Sequence, residues 1–122
     1  TALRLIPGSD SSQRVEYRVG PADANPYLAL SAALASGLAG IAEGLEPEPM
    51  VEGNAYDQTH PGHLALPPSL SDATAVFKHS RTARSLFGDA FVDHFAASRQ
   101  WEASEHRKHV SDWELQRYFE II

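Results

Sequence analysis

Cysteine is absent from all 122 residues. That excludes a disulfide framework and a thiolate metal site, and it is compatible with a reducing compartment. Positive charge is also scarce: 10 Lys and Arg against 16 Asp and Glu leave a net charge of −6. Nucleic acid is disfavoured as a main partner, because neutralising phosphates needs clustered cations. A few arginines can still converge on one local site in an acidic chain. Long hydrophobic runs are missing. The most apolar stretch, Tyr27 to Ile41, contains Ser31, Ser36 and many Gly and Ala residues. It reads as too short and too weakly hydrophobic to cross a bilayer, and it lacks the basic flank and position of a signal peptide. The expectation is a cytoplasmic chain with no membrane partner. There is no Walker or GxGxxG pattern, no internal repeat and no low-complexity tract.

What is present is an ordinary globular composition, 43 % hydrophobic and 21 % charged, long enough for one domain with one core. Leu3 and Leu5 alternate with Ala2 and Arg4, predicting a strand over 2–6 that Pro7-Gly8 ends. A second strand is expected over 13–19. There Val15, Tyr17 and Val19 fall on one face and Arg14, Glu16 and Arg18 on the other. Asn25-Pro26 is a helix start, and a main helix is expected over 26–44 with Leu30, Leu34, Leu38, Ile41 and Leu45 as its apolar stripe. Residues 45–68 form a long Pro- and Gly-containing loop. Helices fill 70–122, with capping-box patterns at Ser69-Leu70-Ser71-Asp72 and Ser111-Asp112-Trp113-Glu114. Leu70, Ala73 and Phe77 share a helix face. Phe91 and Phe95 lie one turn apart, and Leu115, Tyr118 or Phe119, and Ile122 line the final helix.

The fold class is therefore α+β and helix-dominated, one or two N-terminal strands followed by about five helices, rather than alternating βαβ. Two strands alone make a poor sheet, so further strands are expected upstream. Thr1 to Ile6 reads as strand at once, with no initiator Met. This suggests a segment of a longer polypeptide; a processed or engineered N-terminus is the alternative.

Arg14, Glu16 and Arg18 present cation, carboxylate, cation on one strand face, and Arg4 sits on the neighbouring candidate strand. A carboxylate can ligate a hard divalent metal, and flanking guanidiniums can clamp phosphates or carboxylates. Together they suit phosphoryl transfer from a metal–nucleotide complex. The same alternation is also the ordinary look of a solvated strand. Other polar groups read more simply. His60-Pro61-Gly62-His63 is an exposed turn with no third ligand nearby. His106 and His109 sit at a cationic helix end, and Asp112 and Glu114 complement a helix dipole. Trp101 and Trp113 are expected as core or interface anchors, and Gly37 and Gly40 as sites of close helix packing.

Taken in order, Arg14-Val15-Glu16-Tyr17-Arg18, Asp23-Ala24-Asn25-Pro26-Tyr27-Leu28 and Gly37-Leu38-Ala39-Gly40-Ile41 resemble the C-terminal catalytic part of glutamine synthetases. Asn54-Ala55-Tyr56-Asp57, Leu66-Pro67-Pro68-Ser69-Leu70, Ala73, Phe87-Gly88, Phe91-Val92 and Trp113-Glu114 with Arg117-Tyr118 support the resemblance across the chain. The tail looks more like the amine-using branch, such as γ-glutamylpolyamine synthetases. The resemblance implies an ATP-dependent carbon–nitrogen ligase of nitrogen metabolism that converts glutamate to γ-glutamyl phosphate and joins it to ammonia or an amine. It implies Mg²⁺ or Mn²⁺ and a homo-oligomeric full-length protein.

It further implies that Glu16 is a metal ligand, that Arg14 contacts the nucleotide phosphates, and that Arg18 meets the γ-carboxylate or γ-phosphoryl group. Arg4 corresponds more loosely to a phosphate-contacting arginine, because its spacing to Arg14 is one residue short and Pro7-Gly8 is unusual there. The family's further carboxylates and His do not occur here, so the chain alone is expected to be inactive. Two rivals stand beside this reading: a non-catalytic structural or regulatory relative, and an unrelated helical interaction module.

Overall fold

Two short strands, β1 (Leu3–Ile6) and β2 (Arg14–Tyr17), pair antiparallel with Leu3 opposite Tyr17, Arg4 opposite Glu16, Leu5 opposite Val15 and Ile6 opposite Arg14; the computed structural model describes residues 2–121. Thr1 and Ile122, which the sequence reading assigns to the first strand and the last helix, lie outside the described residues. Both strands are shorter than the alternation predicts. The Gln13 N–H is taken by the Ser9 carbonyl at 2.9 Å, within the turn that Ser12 N–H also closes at 2.8 Å, so pairing starts only at Arg14. At the other end the ladder gains one further bond, Arg18 N–H to the Ala2 carbonyl at 2.9 Å.

The chain divides into two compact units, Thr1–Thr59 and His60–Ile122. The first holds the hairpin and α1 (Pro26–Glu43). Asn25 caps α1 by accepting from Tyr27 N–H at 3.0 Å and Leu28 N–H at 3.4 Å, and Pro26 fits the first turn, where its missing N–H costs no bond. Gly44 ends it in a left-handed conformation, φ 62°. Its N–H bonds the Ile41 carbonyl at 3.2 Å, and Leu45 N–H bonds that of Gly40 at 2.9 Å, the Schellman pattern.

The expected apolar stripe of α1 is bare. Leu30, Leu34, Leu38 and Ile41 are all exposed, and none of the helix is buried. With 18 residues and a mean hydropathy of 1.2, α1 is long and apolar enough to cross a membrane by length and composition alone, at the lower edge of that range. The sequence reading puts Tyr27 to Ile41 below that limit; counting the whole helix brings it just to it. Beyond it, the irregular segment contains two single turns of 3-10 helix, Ala55–Asp57 and Gly62–Leu64. Asn54 caps the first, accepting from Tyr56 N–H at 3.2 Å and donating to the Asp57 carboxylate at 2.9 Å.

The second unit packs α2 (Leu70–His79), α3 (Arg81–Phe87) and α4 (Asp89–His106), followed by α5 (Asp112–Tyr118). Among the described residues the buried positions are Thr74, Ala83, Val92 and Ala96, all in α2, α3 and α4. On α4 the buried residues are Val92 and Ala96, spaced by four. Phe91 stays partly exposed and stacks on Phe95 at 5.8 Å between centroids. Phe95 in turn meets Phe77 of α2 edge-on at 5.7 Å. Thr74 is buried without penalty because its hydroxyl donates to the Leu70 carbonyl at 2.6 Å.

Ser69 caps α2 through Asp72 N–H at 3.1 Å, and its hydroxyl donates to the Asp72 carboxylate at 2.6 Å. Ser111 and Glu114 form the full reciprocal capping box on α5. Trp101 and Trp113 are both exposed, so neither anchors a core within this chain.

Candidate functional site

The antiparallel register decides which side chains of the hairpin meet. Alternation places Arg14, Glu16 and Arg18 on one face of β2 and its continuation; their partners on β1 place Ile6, Arg4 and Ala2 on that same face. Three guanidiniums and one carboxylate therefore share it. The opposite face carries Leu3, Leu5, Val15 and Tyr17.

Arg18 and Ala2 exchange a ladder bond, so the alternating pattern also makes Arg4 and Glu16 a hydrogen-bonded pair, with Cα atoms about 5.5 Å apart. Arg4 Nη1 donates to Glu16 Oε2 at 3.4 Å across the strands. Both side chains are substantially open, 61 % and 44 % exposed. Arg14 turns instead to the Ser12 carbonyl, donating at 3.3 Å. Arg18 has no side-chain partner among the described residues. The four positions assigned from sequence are thus brought together. Arg4, the loosest of them, turns out to be the residue directly opposite Glu16.

Chemically this face offers one hard oxygen donor surrounded by cations about 7 Å up and down the strand. Guanidiniums so arranged match the oxygens of phosphates and carboxylates. Among the described residues no group of three or more His, Asp or Glu side chains converges to hold a metal ion. Glu16 suits a hard cation as one oxygen ligand of several, and the chain does not complete such a site alone.

Elsewhere, sequence reasoning missed a polar clasp. Arg84 of α3 donates to Asp89 at 2.6 Å and to Asp93 at 2.7 Å, both on α4, and through Nε to the Lys78 carbonyl of α2 at 3.0 Å. The hydrogen bond from Arg84 holds Asp93 below the usual carboxylate range, and the two aspartates raise Arg84 further above its already high value. Two aspartates four apart at a helix start, after Gly88, were the available signal. On α5 the Ser111 backbone N–H, donating at 2.8 Å, and then its hydroxyl hold Glu114 low. These groups lie at helix ends and support packing rather than chemistry.

Residues 1–118 match the family described as glutamine synthetase, catalytic domain. The chain is 41 % identical over 119 residues to a glutamate–isopropylamine ligase of a Pseudomonas species, covering 98 % of this chain and 26 % of that protein. It is 41 % identical over 124 residues to type-1 glutamine synthetase 2 of Dictyostelium discoideum, covering 99 % and 23 %. A γ-glutamylethanolamide synthetase of Streptomyces coelicolor is 40 % identical over 122 residues, covering 98 % and 25 %. The chain spans about a quarter of the length of these relatives.

Proposed function

The chain belongs to the glutamine synthetase catalytic-domain family, and on that premise we propose that it is the C-terminal part of an ATP-dependent ligase that joins glutamate to ammonia or an amine. The observation that carries this reading is the cross-strand face of Arg4, Arg14, Glu16 and Arg18, which lies wholly inside the family-matched span. In the proposed reaction a γ-carboxylate oxygen of glutamate attacks the terminal phosphorus of ATP and ADP leaves. The amine nitrogen then attacks the acyl carbon, phosphate leaves, and the nitrogen gives up a proton.

Arg14 holds the nucleotide phosphates in this reading, with Arg4 as a further phosphate contact. Arg18 meets the γ-carboxylate or the γ-phosphoryl group. Guanidiniums that tighten as charge develops on the transferred group act mainly in the transition state. Glu16 is one oxygen ligand of a divalent cation, Mg²⁺ or Mn²⁺, which when bound supplies neutralisation of phosphate charge. The remaining ligands come from outside these residues, so the isolated chain is inactive; the complete protein is proposed to be a homo-oligomer working in the cytoplasm. Inclusion of α1 in the matched span supports reading its apolar composition as a packing surface, not a membrane span.

Family membership removes the unrelated interaction module from consideration. Relatives named for isopropylamine and for ethanolamide support an amine acceptor, while an equally similar one is named a glutamine synthetase. The test is glutamate-dependent ADP release by the complete ligase carrying this segment, with ammonia and a panel of alkylamines and polyamines, beside Glu16→Ala. Turnover with one acceptor, and its loss beyond about 100-fold in the variant, is the expected result, more than mutation of a merely supporting residue costs. No turnover with any acceptor would instead favour a non-catalytic relative, and a fully active variant would remove Glu16 as a metal ligand.

A further inference from the structure

We propose that Arg4 is a positioning residue that serves as the built-in counter-cation of Glu16 and competes with a divalent metal for its carboxylate. The inference rests on the reading of Glu16 as a metal ligand given above. Three cations surround Glu16 on the hairpin face, and only one engages it. Arg14 is drawn to the Ser12 carbonyl at 3.3 Å, whereas Arg4 reaches Glu16 Oε2 at 3.4 Å from the position directly opposite. The backbone ladder fixes that opposition, so register holds the two side chains within reach of each other.

A hard cation sits about 2.0–2.6 Å from its carboxylate oxygen. A guanidinium within hydrogen-bond reach of the same carboxylate would then face a double positive charge at close range, and each cation weakens the other's hold on the group. Arg4 therefore loosens its hold on Glu16 when the metal enters. Both partners are more than two-fifths exposed, which leaves the arginine room to do so. The same exposure limits the competition to that of a surface ion pair, about two- to fivefold in metal affinity.

The test is a Mn²⁺ titration of the complete ligase, read by electron paramagnetic resonance of the free ion, which needs no turnover. Arg4→Ala is expected to bind Mn²⁺ about two- to fivefold more tightly than the wild type. Arg4→Lys keeps a cation and should stay near the wild-type affinity. In a Glu16→Ala background the gain from Arg4→Ala should vanish, because the carboxylate through which Arg4 acts is gone. Unchanged or weakened Mn²⁺ binding in Arg4→Ala, with Glu16→Ala still weakening it, would overturn the competition while leaving Glu16 as a ligand. Glu16→Ala with wild-type Mn²⁺ affinity would remove both ideas at once.

Discussion

Among the described residues Val92 is the largest side chain with no exposed surface, and replacing it tests whether the second unit has a core of its own. It sits on α4 facing inward with Ala96, where α4 packs on α2 and α3. Val92→Ala deletes two carbons, about 1.6 kcal/mol of transfer free energy at about 0.8 per methylene, and leaves a void of roughly 50 Å³ that adds about 1 kcal/mol if nothing collapses into it. The expected loss is about 2.5 kcal/mol. At a urea dependence of about 1 kcal/mol per molar for a unit this small, the midpoint should fall by about 2.5 M.

The assay is urea unfolding followed by far-ultraviolet circular dichroism, with Val76→Ala as the matched control. Val76 lies on α2 but is 63 % exposed, so the same chemical change there should cost less than about 0.5 kcal/mol. The reasoning fails if Val92→Ala costs under about 1 kcal/mol, or if the two variants are equally destabilised.

Two further outcomes follow from the backbone and the charges. Gly44→Ala should cost about 1–2 kcal/mol of α1 stability, seen as lost helicity, because Gly44 holds φ 62° while a Cβ there would touch nothing within 4 Å, so the cost is purely conformational. Asp93 and Glu114 have folded values below their ordinary 3.8 and 4.5. The unfolded chain thus takes up protons first on acidification. Their stabilisation is fully present above those ordinary values and is lost as the pH falls through the lower folded values, so Asp93→Asn should flatten the acid limb of a stability–pH curve below the ordinary 3.8 of Asp93.

Local rules made much of the fold legible. Asn25-Pro26 and Ser111 to Glu114 announce helix starts because the caps satisfy N–H groups that the helix itself leaves open. Gly44 and Gly88, both at positive φ, mark helix boundaries because glycine takes that backbone conformation without a Cβ clash. Strand alternation placed Arg14, Glu16 and Arg18 on one face before any pairing was known. What it could not supply was the partner of Glu16, since register depends on how the residues between the strands close. Here the Ser9 carbonyl takes two N–H groups, and that turn sets Arg4 against Glu16. The inward face of α4 was harder to read. Phe91 and Val92 are adjacent apolar residues a hundred degrees apart on the helix, and only the position of α2 and α3 selects Val92. Thr74 was missed because its burial depends on a hydroxyl bond within its own helix. Arg84 was missed because three elements must meet before it has partners.

The candidate site and the buried residues lie in different units. Every candidate site residue lies in Thr1–Thr59, where no described residue is buried, while Thr74, Ala83, Val92 and Ala96 all lie in His60–Ile122. A two-stranded hairpin is marginal in water unless one face is covered. In this hairpin Leu3, Leu5, Val15 and Tyr17 form an apolar face that remains open, directly behind the arginines and Glu16. Because neighbours along a strand point to opposite sides, burying that face is the same act that fixes the charged one. Uncovered, the strands can fray or slip, and a slip of a single residue would carry Glu16 to the wrong side. The geometry a ligase needs is held within narrow limits only when the apolar face is packed. This is the physical ground for proposing that the isolated chain, which spans about a quarter of its relatives, does not turn over even with all four charged residues in place.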